Sequence, residues 1–333
     1  MLVGALLTES RYWWKLLKRI RAELERERPA VVIPIDSSFI NLRIAAVAKR
    51  LAIPVCYYVA PQVWASRPWR VKKIARCVDT LCCILPFEER YFQDRGVNGV
   101  YVGHPMFDVP VDTAESDPAL AEPPLPGATD DGPKIAVFPG SRRAEIGKHM
   151  PVMLEMLSEI KGRFPRAHVV AAAPSEERAW QIRRELRSAN LPVDIRVEKA
   201  DAIIRWADLV LTKSGTTVLQ VARHGKPMVV MYVVPWWQWM FARHLLLIPR
   251  VAMVNILAGR EIVPEFVPLR SPLKVARVCI DLLSQPELRN VMRRDMRAVV
   301  ETLLPREGKL AADRVAEEVA KLTQMGNGQT AVA

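Results

Sequence analysis

Three places in this 333-residue chain combine residue types suited to group transfer. Asp36 follows the apolar run 31–35 and precedes Ser37 and Ser38. A carboxylate at the carboxyl end of a strand stands where open α/β sheets bind ligands. It can take the proton of an attacking hydroxyl, or simply cap the helix expected over 41–50. The second place is Pro139-Gly140-Ser141-Arg142-Arg143-Ala144-Glu145, directly after the apolar run 134–138. A strand ending in Gly-Ser-Arg offers backbone N–H groups and a guanidinium to a diphosphate. A capped helix with surface arginines would use the same residues. The third is Ser214-Gly215-Thr216-Thr217, between the apolar run 208–212 and helically spaced Val218, Leu219, Val221 and Ala222. Free N–H groups at such a turn attract phosphate; ordinary N-capping by Ser214 or Thr216 is the alternative.

The elements that must hold these residues alternate. Strand-like runs at 31–35, 53–60 and 80–85 are separated by helical stretches in the first half. Runs at 134–138, 168–173, 193–197, 208–212 and 228–232 follow in the second. Strand–helix alternation predicts parallel sheets and an α/β fold of two Rossmann-like domains facing across a cleft. The expected division is 1–110, a linker over 111–133 rich in Pro, Asp, Glu and Ala, 134–285, C-terminal helices over 286–325 and a frayed tail over 326–333.

Net charge is +12, which calls for an anionic partner. Basic residues are dispersed among apolar patterns rather than clustered on one element, which argues against nucleic acid. Five cysteines show no metal-ligand spacing and sit in apolar contexts, as in a reducing cytoplasm. No apolar run reaches membrane-spanning length. The helix expected over 12–28 carries Trp13, Leu16, Leu17, Ile20 and Leu24 beside Lys15, Lys18, Arg19 and Arg21. It reads as a core helix with a solvated basic face, or as a contact for anionic lipid. The aromatic stretch Pro235-Trp236-Trp237-Gln238-Trp239-Met240-Phe241 is open to the same two readings. The chain has no Walker loop, no dinucleotide GxGxxG, no HExxH and no nucleophile elbow. Asp130-Asp131 lies in the linker and reads as solvated.

An ordered set of motifs resembles the lipid-A-disaccharide synthase family over about residues 4–303. It includes Ile35-Asp36 with Asn41, Tyr58-Val59-Ala60-Pro61-Gln62-Val63-Trp64-Ala65, Arg70-Val71-Lys72-Lys73-Ile74, Pro86-Phe87-Glu88 and Val102-Gly103-His104-Pro105. The second half adds Pro139-Gly140-Ser141-Arg142 with Glu145, Ser214-Gly215-Thr216, Pro227-Met228-Val229-Val230 and Asn255-Ile256-Leu257-Ala258-Gly259-Arg260-Glu261. The resemblance implies an inverting glycosyltransferase of GT-B architecture that needs no cofactor and no metal. It would transfer sugar from UDP-2,3-diacylglucosamine to 2,3-diacylglucosamine 1-phosphate (lipid X) at the cytoplasmic face of an anionic inner membrane.

The resemblance makes Asp36 and Arg142 the catalytic pair. Substrate binding would fall to Asn41, Gly140, Ser141, Ser214, Gly215, Thr216, Gln220, Asn255, Gly259, Arg260 and Glu261. The family carries Glu where this chain has Gln220, and an Asp-Phe pair where it has Phe39-Ile40. It also begins with about sixty further residues, so a first domain lacking its first strand–helix units is expected: either the start codon is misassigned, the chain is a fragment, or a separate polypeptide supplies the part. A homo-oligomer is the other partner expected. A non-catalytic nucleotide-sugar-binding remnant and another UDP-N-acetylglucosamine-using GT-B enzyme are the competing functions.

Overall fold

A computed structural model describes residues 2–109, 125–126, 132–187, 189, 191–235, 238–240, 245–304 and 308–330. The chain divides into two compact units, 1–110 with 303–333, and 111–302.

Unit 1 starts with the long helix α1 (Leu2–Glu27) and α2 (Ser38–Arg50). Its parallel sheet has the order β1 (Cys56–Tyr58), β2 (Thr80–Cys83), β3 (Gly99–Tyr101). The short helices α3 (Val63–Ser66), α4 (Val71–Cys77) and α5 (Pro86–Gln93) connect these strands. Tyr57, Leu81 and Cys83 are wholly buried, and Ile74 and Phe92 pack with them. The apolar run 31–35 does not form the regular strand expected. It makes two parallel bridges to the β1 region, Val32 with Val55 and Ile35 with Tyr58. Pro34 accepts from the Tyr58 N–H at 2.9 Å but has no N–H to return, so the ladder stays broken. Ile33 and Ile35 are exposed at this edge.

Unit 2 is built on a six-stranded, all-parallel sheet in the order β6-β5-β4-β7-β8-β9. The strands are β4 (Lys134–Phe138), β5 (His168–Ala173), β6 (Asp194–Val197), β7 (Leu209–Lys213), β8 (Met228–Met231) and β9 (Glu265–Phe266). Counted within the unit, this is the 3-2-1-4-5-6 order of a dinucleotide-type fold. Ile135 to Val137, Leu209 to Leu211 and Met228 to Met231 are fully buried, as strands covered on both faces must be. Crossovers run through α6 (Arg143–Arg163), α7 (Glu176–Leu186), α8 (Ala200–Trp206) and α9 (Thr217–Arg223). After β8 come α10 (Met253–Ala258), α11 (Pro272–Ser284) and α12 (Pro286–Glu301). Helix α11 packs on α6, and α12 on α9.

The C-terminal helices do not form one block over 286–325. Helix α12 stays with unit 2, whereas α13 (Ala311–Thr330) returns to unit 1. Two contacts explain the return. Asp108 accepts the N–H groups of Ala311 (2.8 Å) and Ala312 (3.3 Å), capping α13 from a distant part of the chain. Val315, Val319 and Leu322 then pack on Cys56, Cys82 and Val102. Backbone helix continues to Thr330, so the tail expected to fray from 326 is helical over its first part. The linker expected over 111–133 lies almost wholly outside the described residues. So do Trp236, Trp237 and Phe241 of the aromatic stretch, whose residues 238–240 are helical.

Candidate functional site

In unit 2 the winding direction changes between β4 and β7, the point at which open α/β sheets bind ligands beyond the strand ends. A cavity of about 190 Å³ opens there. Ala172, Ala173, Pro174 and Phe138 give it an apolar wall, and Ser141, Glu198, Lys213, Thr216, Thr217 and Gln220 a polar one. A larger, shallower depression of about 520 Å³ lies between α6 and α11, with Glu155, Glu159 and Arg163 on its walls. It sits on outer helices rather than at strand ends.

The turn after β4 is organised by Glu145. Its Oε2 accepts the N–H groups of Ser141 (3.1 Å) and Arg142 (3.3 Å), and its Oε1 meets Lys213 Nζ at 3.2 Å. Burial pushes this carboxyl up, but the N–H donors and the Lys213 charge outweigh burial and hold it below the ordinary carboxylate value. Ser141 and Gly140 both line the cavity, but the backbone at Ser141 is engaged locally. The amides that would have met a diphosphate are occupied by the helix's own cap. The Arg142 guanidinium remains 83% exposed, with Glu145 Oε1 at 3.6 Å. Gly140 is required here: its φ is 126°, and a Cβ would stand 2.7 Å from both Cβ and Oε2 of Glu145. Beneath the turn, wholly buried His149 donates from Nδ1 to the Pro139 carbonyl at 3.0 Å; burial keeps the ring neutral by lowering its pKa.

At the end of β7, Ser214 is also spent: its N–H donates to Met231 O (3.0 Å) and its hydroxyl to Val251 O (3.4 Å). Among the described residues, the N–H groups of Gly215, Thr216 and Thr217 have no acceptor. Three successive free amides, two threonine hydroxyls and Lys213 make this turn the better seat for a phosphate group. One helical turn on, Gln220 donates from Nε2 to Asp201 Oδ1 at 3.1 Å, and His224 Nε2 reaches the same oxygen at 2.6 Å. Burial pushes the Asp201 carboxyl up, but the hydrogen bonds of His224 and Gln220 carry it below its ordinary value.

Asn255, expected at the nucleotide, is placed elsewhere. It is fully buried, and its amide closes a loop: Oδ1 accepts from Ile262 (2.8 Å) and Val263 (3.0 Å), and Nδ2 donates to Val263 O (3.0 Å) and Glu265 Oε2 (3.1 Å). Asn255 lies in helix α10, ended by Gly259 in the left-handed region (φ 67°). Arg260 is paired with Asp295 of α12 at 2.8 Å, and neither it, Gly259 nor Glu261 lines the cavity.

In unit 1, Asp36 is exposed and does not cap α2. Its carboxylate has no hydrogen-bond partner among the described residues. Its backbone is held hard instead. Asp36 and Ser37 both have positive φ, 51° and 37°, a conformation that costs energy for non-glycine residues. The Asp36 carbonyl accepts from Tyr57 Oη (2.5 Å) and Asn41 Nδ2 (2.8 Å), and Asn41 also donates to Ile35 O at 2.7 Å. Asn41, expected to bind substrate, spends its amide N–H groups on the backbone around Asp36. Burial, and then the Asp36 charge, raise the Tyr57 pKa, so the phenol stays a donor.

Two further motif residues of unit 1, Glu88 and His104, are internal braces. Glu88 is fully buried and accepts from Trp64 Nε1 (2.9 Å), Leu85 N (3.1 Å) and Ile84 N (3.3 Å); burial pushes its carboxyl up to about 7 despite these donors. His104 accepts the Met106 N–H on Nδ1 at 3.2 Å, and burial pushes the ring down to about 4 against the charge of Asp108. Sequence reasoning missed Lys213, Asp201 and His224. Lys213 adjoins the Ser-Gly-Thr turn and could have been read with it; Asp201 and His224 belong to no motif and meet only in the fold.

Residues 5–319 match the family model described as lipid-A-disaccharide synthetase. The chain belongs to this family. A relative named lipid-A-disaccharide synthase, from Anaeromyxobacter sp. (strain K), is 39% identical over 302 residues, covering 90% of this chain and 76% of its own. Among solved structures, S. aureus MnaA with UDP aligns at a TM-score of 0.60 and 12% identity, covering 92% of this chain and 80% of its own. The UDP-GlcNAc 2-epimerase from Neisseria meningitidis bound to UDP-GlcNAc aligns at 0.57 and 13%, covering 87% and 80%. At such identities these two speak to the fold alone. With the family, they agree with two parallel α/β units of the GT-B kind.

Proposed function

We propose that the protein is an inverting hexosyltransferase that joins UDP-2,3-diacylglucosamine to lipid X, giving the lipid A disaccharide 1-phosphate and UDP. Family membership sets the reaction, and the cavity at the β4/β7 reversal is the observation that carries the chemistry. The apolar wall suits a nucleobase. The free amides of Gly215, Thr216 and Thr217, with Lys213, suit the diphosphate. Asp36 is the general base. It takes the proton of the acceptor 6-hydroxyl as that oxygen bonds to the sugar C1 and the bond from C1 to the diphosphate oxygen breaks. The leaving UDP gains negative charge, which Arg142, Lys213 and the turn amides stabilise.

Both substrates carry acyl chains, so the enzyme works at a lipid surface. Tyr12 and Trp14 of α1 are 62% and 64% exposed beside exposed Lys15, Lys18 and Arg19. The stripe of Trp13, Leu16, Leu17 and Ile20 is only half-buried, and no helix among the described residues is long and apolar enough to cross a membrane. This pattern fits peripheral contact with the anionic cytoplasmic face of the inner membrane.

The test is acceptor-dependent UDP release by the purified chain. UDP should appear only when both lipids are present, together with the disaccharide 1-phosphate. Turnover with an unacylated sugar acceptor, or none with lipid X, would reject the assignment. Sedimentation with phosphatidylglycerol vesicles, lost in salt and in Trp14→Ser with Lys18→Glu, tests the membrane contact.

A further inference from the structure

We infer that Arg70 binds the 1-phosphate of the acceptor sugar and so sets specificity for a phosphorylated acceptor at the Asp36 site. The inference rests on the transferase reading of that site and deepens it.

Five cations fall between residues 67 and 76, and Arg70 is set apart from the others. Arg67, Lys72, Lys73 and Arg76 are exposed, whereas Arg70 is half-buried. It ends the single 3-10 turn Pro68–Arg70 that leads into α4, next to buried Val71. Its Nη1 reaches Ser38 Oγ at 3.5 Å, beyond the usual range of a strong hydrogen bond. No carboxylate pairs with it among the described residues. A guanidinium carries five N–H donors in a planar fork. Holding those donors part-buried without an acceptor costs free energy. Arg70 therefore has donors to spare and lacks an anion.

Asp36 stands close by. Ser38 is two residues on, so the Cα atoms of Asp36 and Ser38 are at most about 7 Å apart. The Asp36 carboxylate and the Arg70 guanidinium do not pair, which leaves each open to a ligand. The acceptor of the proposed reaction carries its reacting hydroxyl at C6 and its phosphate at C1, at opposite ends of one pyranose ring. With O6 at Asp36, a ring lying across the start of α2 brings the phosphate to Arg70. The fork then meets two phosphate oxygens at once, in place of the long contact to Ser38. Arg43, the other cation on this face, is already spent. Its guanidinium lies 4.3 Å from the centre of the Phe39 ring and donates to the Phe39 carbonyl at 3.4 Å.

The experiment is steady-state kinetics on the full chain with UDP-2,3-diacylglucosamine and two acceptors in the same neutral-detergent micelles. One acceptor is lipid X; the other is 2,3-diacylglucosamine, which lacks the phosphate. Wild type should show a kcat/KM about 10- to 100-fold higher for lipid X, the scale of charge-assisted hydrogen bonds. Arg70→Ala should bring that ratio to about one, by raising KM for lipid X while changing turnover of the dephosphorylated acceptor by less than about threefold. Arg70→Lys keeps the charge but not the fork. It should give an intermediate ratio, and it carries the test if the alanine variant does not fold. The inference is overturned if wild type uses both acceptors equally well. It is also overturned if folded Arg70→Ala keeps the ratio or slows both acceptors alike, as a brace or a lipid-surface contact would, or if Arg70→Lys matches wild type. If wild type turns over neither acceptor, it is the transferase reading that fails.

Discussion

Asp36 holds its place at an energetic cost. Two successive left-handed residues are maintained because Asn41 and Tyr57 both bond the Asp36 carbonyl. Asn41→Ala should therefore lower kcat by about tenfold to a hundredfold while leaving the Kd for UDP unchanged; equal loss in both would mean that Asn41 touches the donor instead. Glu88 is a different case. Its folded pKa of about 7 exceeds the ordinary 4.5, so the folded state binds the proton more tightly than the unfolded chain. Its contribution is complete below about pH 4.5 and is lost as the pH rises through about 7. At about 1.4 kcal/mol per pH unit, the loss is about 3 kcal/mol. Glu88→Gln should lower the Tm at pH 5, because one N–H donor then faces an amide NH2, and should flatten the decline between pH 5 and pH 8. A wild-type Tm that does not fall across that range would contradict this account of Glu88. Asp36 was legible in the sequence because a lone carboxylate after an apolar run stands out. Asp201 and His224 were not, because two residues 23 apart show no joint pattern until the fold brings their side chains together.

The elements were readable where burial dictates composition. Strands β4, β5, β7 and β8 are covered on both faces, so their sequences are unbroken apolar runs that announce themselves. The 31–35 segment was over-read for the same reason: its apolar residues reflect an exposed sheet edge, and the missing N–H of Pro34 outweighs them. The Gly-Ser-Arg turn was read for its amides, whereas Glu145, three residues beyond Arg142, claims them first. Gly140→Ala should displace that carboxylate, since the new Cβ would stand 2.7 Å from it. A loss of about 1–3 kcal/mol in denaturant unfolding is expected, with weaker UDP binding as Lys213 loses its partner. Unchanged stability would show that the turn adapts freely. Helix α13 was expected beside α12, and no local signal separates them; its cap lies about 200 residues upstream. Asp108→Ala should cost about 1 kcal/mol and speed proteolysis of the C-terminal helix. Equal cleavage rates in the two proteins would remove Asp108 as its anchor.

At the scale of the whole molecule, the proposed mechanism assigns one half of a displacement reaction to each unit. Unit 2 offers a cavity at a strand-order reversal, with amides, hydroxyls and Lys213 for an anionic leaving group. Unit 1 offers a carboxylate that is exposed, unshared and conformationally fixed. The net charge of +12 suits both an anionic nucleotide and an anionic lipid surface. The central claim is that Asp36 serves the chemical step and not the binding of donor. The decisive measurement compares Asp36→Asn with wild type in UDP release from the two lipid substrates and, separately, in affinity for UDP. A fall in kcat of about 10²–10⁴-fold with an unchanged Kd is expected. Turnover within a few-fold of wild type would contradict it.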